Sequence, residues 1–391
     1  MAVWRRWCGG FCWHRPSPDE WPRLSLSVGI VGLPNAGKST LFNALTRAHA
    51  AVGAFPFTTI DPNTGVVPVP DDRLQQLAEV FHPPKVIPAT VTFNDIAGLV
   101  RGAHLGEGLG NQFLGHIRGA DAIAFVLRAF SATEVGHVEG GVDPLRDLEI
   151  LELELTLADL GTVDRRLERV GKVARAGAAA RAVQAEVSGL NKVREALDQG
   201  TPARRVALSE EEAVGVAEAQ LLTAKPVIFV ANVDEDEVGA EPATGLALPI
   251  AQRANEEGAD FVVVSAKLEA ELSELDPAEA EEFLHGLGLT EAGLGRLSRA
   301  GYHALRLLTF FTAGEKEVKA WTVAQGANAR DAAGVIHTDF AKGFIRAEVC
   351  DWRELVAAGS YAAVRDRGQR RLEGRDYLVQ DGDVVHFLFN V

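Results

Sequence analysis

The chain has 391 residues, a formal net charge of −15, 47 % apolar residues and 24 % charged residues. That is enough for two or three domains with a large core, and no apolar run approaches the length of a membrane span. The acid excess argues against a surface that binds nucleic acid indiscriminately. Three cysteines (Cys8, Cys12, Cys350) give no disulfide framework, so a reducing, cytoplasmic setting is expected.

Residues 1–25 stand apart, with four of the six tryptophans and two of the three cysteines. Arg5-Arg6 precedes no adequate hydrophobic stretch and no small-residue cleavage site, so a secretory signal is not expected. Cys8, Cys12 and His14 have half of a zinc-site spacing but lack a fourth ligand nearby. The segment reads as a disordered extension.

Leu26 to Val31 is an apolar run of the kind that forms a buried strand. Gly32-Leu33-Pro34-Asn35-Ala36-Gly37-Lys38-Ser39-Thr40 follows it, and the helical spacing of Leu41-Phe42-Asn43-Ala44-Leu45-Thr46 comes next. In a strand–loop–helix setting GxxxxGK[ST] is a phosphate cradle. Backbone N–H groups and the helix N-terminus favour the anion. Lys38 reaches the β- and γ-phosphates, and the Ser39 hydroxyl suits Mg²⁺. Thr58 and Thr59 are candidates for a second Mg²⁺ ligand. Asp95-Ile96-Ala97-Gly98 closes the next strand, with Asp95 for the Mg²⁺ shell and the Gly98 N–H for the γ-phosphate.

Leu99 stands where Ras-like enzymes carry the glutamine that orients the attacking water. Leucine cannot hydrogen-bond water, so another group positions it or intrinsic hydrolysis is slow. Arg101 and His104 lie in the glycine-rich loop that follows and are the catalytic candidates; no general base is assigned. Asn35 raises the expectation of a K⁺ site.

Residues 144–210 read as an insertion of two antiparallel helices. Leu153, Leu157, Leu160, Leu167 and Val170 recur at helical spacing, as do Val183, Val187, Leu190 and Leu197, with a turn near Gly177 to Ala180. From Asp164 to Arg205 ten basic residues face five acidic ones, a local excess that suggests RNA contact. Pro226 to Ala231 is a further buried strand, followed by Asn232-Val233-Asp234-Glu235. Guanine-specific enzymes carry Asn-Lys-x-Asp here. Val233 and Glu235 replace the Lys and the terminal Asp, so guanine reading is expected to be weak, a loss of roughly 1–3 kcal/mol by analogy with base-pair readout. Ser265-Ala266-Lys267, after the strand Phe261 to Val264, matches the loop that closes over the base. After Tyr302 the texture changes to short alternating strands, and Arg365, Arg367, Arg370, Arg371 and Arg375 cluster there.

Gly32 to Ser39, Asp95 to Val100, Asn232 to Glu235 and Ala341-Lys342-Gly343-Phe344-Ile345-Arg346-Ala347-Glu348 together resemble the YchF/Obg-like ATPase family, from about Leu26 to Val391. The resemblance implies an α/β P-loop NTPase (a Ras-like, OBG-type G domain, 26–305). It also implies a helical coiled-coil hairpin inserted at 144–210 and a small β-grasp TGS domain at 306–389. By motif match, Asn35, Ala36, Gly37, Lys38, Ser39, Thr40 and Gly98 would hold phosphates, and Ser39, Thr59 and Asp95 the Mg²⁺. Asn232, Val233, Glu235, Ser265 and Ala266 would hold the base. Where this chain has Phe125, family relatives carry a histidine.

The expected protein is a monomeric, Mg²⁺-dependent ATPase that binds ATP and ADP and switches on ribosomes, through the RNA of the large subunit or the 70S particle. The alternatives are a GTP-specific assembly factor of the Obg/DRG type and a nucleotide-sensing scaffold with negligible hydrolysis.

Overall fold

The computed structural model describes residues 26–51, 63–96, 109–131, 141–175, 181–239 and 243–390. Thr58, Thr59, Gly98, Leu99, Arg101, His104, the turn near Gly177 and the first 25 residues lie outside them. The chain divides into two compact units, one of residues 27–65 with 93–294 and one of residues 66–92 with 295–391.

The described strands are β1 (Ser27–Val31), β2 (Thr64–Pro68), β3 (Val86–Ile87), β4 (Thr90–Asp95), β5 (Ala122–Arg128) and β6 (Val227–Asn232). They continue with β7 (Asp260–Val264), β8 (Leu307–Ala313), β9 (Val318–Ala324), β10 (Phe344–Asp351), β11 (Arg371–Glu373) and β12 (Asp383–Phe389). The first unit is built on a six-stranded sheet in the order β2-β4-β1-β5-β6-β7. β1, β5, β6 and β7 pair in parallel. Every residue of β1, β5 and β6 is buried, which is why these strands read as continuous apolar runs: a parallel sheet is covered on both faces. Phe125 is fully buried and stacks on Phe229 with ring centroids 6.1 Å apart. Its ring belongs to the core, and the position carries no polar chemistry in this chain.

The insertion forms helices Pro144–Arg175 and Arg181–Asp198 around a core of Val163, Leu190, Val193 and Leu197. A third helix, Glu210–Ala217, packs on the second. At their crossing both helices present glycine. A Cβ on Gly189 would lie 2.8 Å from Val216 Cγ2, and one on Gly215 would lie 2.7 Å from Glu186 Cβ. The third helix therefore packs directly against the second helix of the hairpin at this point. Ser209 caps the third helix through a reciprocal bond with Glu212.

Two polar clusters fix the base of the arm. Asp159 is fully buried and accepts hydrogen bonds from the Leu222 N–H (2.9 Å), the Thr223 N–H (2.7 Å) and the Thr223 hydroxyl (2.7 Å). Arg204 pairs with Glu152 and with Glu257 (2.9 Å), while Arg253 pairs with the same two carboxylates at 2.9 and 2.7 Å. Glu152 lies in the first arm helix and Arg253 and Glu257 in the helix Leu248–Glu257, so this half-buried network ties the arm to its parent sheet layer.

The second unit holds a mixed sheet in the order β11-β10-β12-β8-β9-β3. β12 runs parallel to β8, while β8–β9, β10–β12 and β10–β11 are antiparallel hairpin-like pairs. Helix Ala329–Ile336 covers one face, with Ala329, Ala332 and Ala333 packed against Phe310, Val349, Val385 and Phe387. This is a β-grasp arrangement. Its outer strand, β3, comes from far upstream and pairs in parallel with β9. Residues 66–92 thus cluster with the C-terminal residues, although the sequence places them in the G domain.

Candidate functional site

The site starts where β1 ends. Burial of β1 on both faces carries the chain straight out of the sheet at Val31, and the loop 32–37 must then turn back into the helix Lys38–Ala51. Two residues make that turn in the left-handed region, Asn35 (φ 65°) and Gly37 (φ 91°). Gly32 is required for a different reason: a Cβ there would lie 2.4 Å from the Val126 carbonyl oxygen of β5.

Lys38 is only 7 % exposed, and its ammonium donates to the Leu33 carbonyl at 2.8 Å. Burial pulls its pKa down from 10.5 to about 8, partly offset by the negative charge of Asp95. Asp95 sits at the end of β4, and burial raises its carboxyl above the usual range against the opposing pull of Lys38. The described loop thus places a desolvated cation at a helix N-terminus, where phosphate oxygens would restore the lost solvation. Ser39 and Thr40 are exposed on the first turn of that helix. A hydroxyl at Ser39 and a carboxylate at Asp95 are the hard oxygen donors that Mg²⁺ uses alongside phosphate and water. Among the described residues no cluster of three acidic, histidine or cysteine side chains could hold a metal by itself.

Asn232 ends β6 and joins two loops. Its Nδ2 donates to the Ala36 carbonyl (2.9 Å), and its Oδ1 accepts from the Ala266 N–H (2.9 Å). The fit is tight, since a Cβ on Gly37 would come within 2.1 Å of Nδ2. One buried side-chain amide therefore locks the phosphate loop to the loop Ser265-Ala266-Lys267. The other members of the tetrad go elsewhere. Val233 is 3 % exposed, its side chain in the core and its N–H bonded to the Val264 carbonyl (2.8 Å). Asp234 accepts from the N–H and hydroxyl of Ser131, both at 3.0 Å. Glu235 pairs with Lys267 at 3.0 Å. Ser265 is buried and caps the next helix.

The structure thus brings Asn35 to Thr40, Asp95, Asn232, Ser265 and Ala266 to the carboxyl end of one sheet, the usual ligand side of an open α/β sheet. Lys267, named in the sequence only as part of the loop over the base, and Ser131 also stand in this neighbourhood. Lys267 had a signal, its position beside the base loop with a charge complementary to Glu235. Ser131 had none, because only the pairing of β5 with β6 brings it to Asp234.

Fold and loop define a P-loop nucleotide-binding domain of the G-protein class. A model described as 50S ribosome-binding GTPase matches residues 27–161. A YchF-GTPase C-terminal model, described as a protein of unknown function, matches residues 307–390. The chain is 50 % identical over 368 residues to the ribosome-binding ATPase YchF of Bacillus subtilis, covering 94 % of this chain and all of the relative. It is 42 % identical to Obg-like ATPase 1 of Gallus gallus over 94 % of this chain and 93 % of that one. The YchF GTPase of Schizosaccharomyces pombe superposes with a TM-score of 0.83 at 38 % identity, over 94 % of this chain and 99 % of that one. The chain belongs to the YchF family.

Proposed function

We propose that this protein is a Mg²⁺-dependent ATPase that binds ribosomes and uses its triphosphate state as a conformational switch. The observation that carries the reading is the desolvated Lys38 ammonium, held beside Asp95 at the mouth of the phosphate loop. The full-length likeness to proteins named ribosome-binding ATPases supports it.

In this reading the backbone of Asn35 to Thr40 and the Lys38 ammonium bind the β- and γ-phosphates. Ser39, Asp95 and Thr59 hold Mg²⁺, which neutralises charge on the phosphates, and the Gly98 N–H senses the γ-phosphate. Asn35, in its left-handed turn, is the residue at which K⁺ dependence would be sought. Asn232, Ser265 and Ala266 shape the base site, with Val233 supporting it from the core. Arg101 and His104 are the candidates for positioning water, since Leu99 cannot. The family C-terminal region from 306 to 389 is assigned as the TGS domain, and the arm at 144–210 as the ribosome-facing element.

The arm's basic count overstates its free charge. Arg166 bridges Glu186 and Glu218 (both 2.6 Å), Arg194 pairs with Asp164 (2.7 Å), and Lys192 pairs with Glu212 (2.8 Å). Arg165, Arg169 and Lys172 are exposed and are the residues assigned to phosphate contacts. Single-turnover hydrolysis of ATP and GTP, measured with and without ribosomes, tests the reading. Faster ATP turnover on ribosomes is expected; a tenfold preference for GTP, or no association with ribosomes, would overturn it.

A further inference from the structure

The helix Pro277–Gly286 is covered on only part of its apolar side. Its ends are well specified: Asp276 caps it through a reciprocal bond with Glu279, and Pro277 opens its first turn. Ala280, Phe283, Leu284 and the C-cap residue Leu287 recur at spacings of three and four, the stripe with which a helix faces a core. Ala280 and Leu284 pack against the small cluster of Leu268, Leu272 and Leu289. Phe283 and Leu287, one turn apart at the edge of that stripe, stay 43 % and 49 % exposed. A phenylalanine and a leucine held side by side in water forgo the gain of burial, which a partner laid over them would supply.

Charge decides what that partner is. Between Lys267 and Arg296 the sequence holds eight acidic residues and neither lysine nor arginine. Glu279, Glu281 and Glu282, on the same helix as Phe283, are exposed. Two copies of this face brought together would oppose like charges, and a phosphate backbone would be repelled for the same reason. An apolar pair with a carboxylate rim instead matches a cationic polypeptide that carries its own apolar anchors.

We propose that the Phe283–Leu287 face is a docking surface for a basic protein segment, which seats apolar side chains on Phe283 and Leu287 while its lysines or arginines meet Glu279, Glu281 and Glu282. On a ribosome the occupant is then a ribosomal protein and not RNA, a clause that rests on the ribosome-binding reading above. The surface is distinct from the arm, whose exposed cations suit phosphates.

The probe is a fluorescent synthetic amphipathic helix of leucine and lysine, titrated against the full chain by anisotropy, with a single-stranded RNA oligonucleotide as comparison. Phe283→Ser combined with Leu287→Ser should weaken peptide binding at least about tenfold, whereas Leu372→Ser, at an exposed leucine of the other sheet, should leave it unchanged. Glu281→Gln combined with Glu282→Gln should weaken it about threefold or more and flatten its salt dependence. Thermal melts and ATP affinity, expected to be unchanged, show that the variants are folded. With Phe283 replaced by the photo-crosslinker benzoylphenylalanine, irradiation on purified ribosomes should join the chain to a protein. Peptide binding that the Phe283 and Leu287 variant leaves intact would overturn the proposal, as would a crosslink to ribosomal RNA or RNA binding that the same variant weakens. Failure of the ribosome reading is seen separately, as a parent that does not pellet with ribosomes, because the peptide titration uses the chain alone.

Discussion

Two basic regions of the first unit are built on opposite principles. In the phosphate loop a single ammonium, Lys38, is buried, held by one backbone carbonyl and the field of Asp95. In the arm ten basic residues crowd one stretch of sequence, yet several of the most prominent are already neutralised by carboxylates across the helix seams. The difference teaches that a charge recruits an anion according to how poorly the fold compensates it. Lys38 is under-compensated and desolvated, so a phosphate gains a strong interaction there. Arg166 would have to give up two partners first.

Removing Lys38 should give the largest effect. Lys38→Ala is expected to weaken ATP binding at least about a hundredfold, near 3 kcal/mol, without comparable loss of stability. The same lysine predicts a pH signature. With its pKa near 8 in the free protein, Lys38 is partly neutral above that value, and a bound triphosphate must reprotonate it. ATP binding should therefore take up a proton around pH 8 and weaken as pH rises, which calorimetry in buffers of different ionisation enthalpy will detect. The stability sign is opposite. A lysine whose folded pKa is depressed costs stability while charged, and that cost is relieved as pH rises from about 8 towards 10.5. Binding without proton exchange would mean that Lys38 is compensated after all and would remove the contrast with the arm.

Asn232 sharpens the comparison from the structural side. Asn232→Ala leaves the Ala36 carbonyl and the Ala266 N–H without their partner, and a melting experiment should show a loss of roughly 2–4 kcal/mol. ATP should protect the variant less than the parent, since both loops are released.

In the arm the expected effects are smaller and divide by pairing. Replacing Arg165, Arg169 and Lys172 with alanine should weaken ribosome co-sedimentation about tenfold near physiological salt and flatten its salt dependence, because phosphate contacts release counterions. ATP affinity should not change. Arg166→Ala should instead cost no more than about 1 kcal/mol of stability, as expected for a partly exposed pair of ion pairs, with little effect on ribosome binding beyond that. If Arg166→Ala alone abolished ribosome association while the triple variant bound normally, the division between paired and free cations would fail.

Much of this molecule could be read directly. The parallel strands β1 and β6 were legible because burial on both faces leaves an unbroken apolar run, and the phosphate loop because its glycines answer to backbone geometry that only certain residues allow. Asn232 was legible as a site residue, but its part in the fold was not: its amide joins two loops whose bonded residues lie 196 and 34 positions away in the chain. The two-residue strand β3 carries no periodicity, and its pairing with β9, together with the Arg73–Asp381 ion pair and the Phe81–Tyr361 ring contact, draws residues 66–92 to the C-terminal sheet. The glycines at 189 and 215 find their reason only in the crossing, where no Cβ fits between those helices. Local sequence determined what depends on a residue's own backbone and on its exposure along one element, namely strands, helices, the cradle and the motif-bearing loops. Tertiary structure alone decided which charges are compensated, because Glu186, Glu218, Glu235 and Asp95 reach their cations across elements far apart in the chain, and electrostatics depends on distance in space.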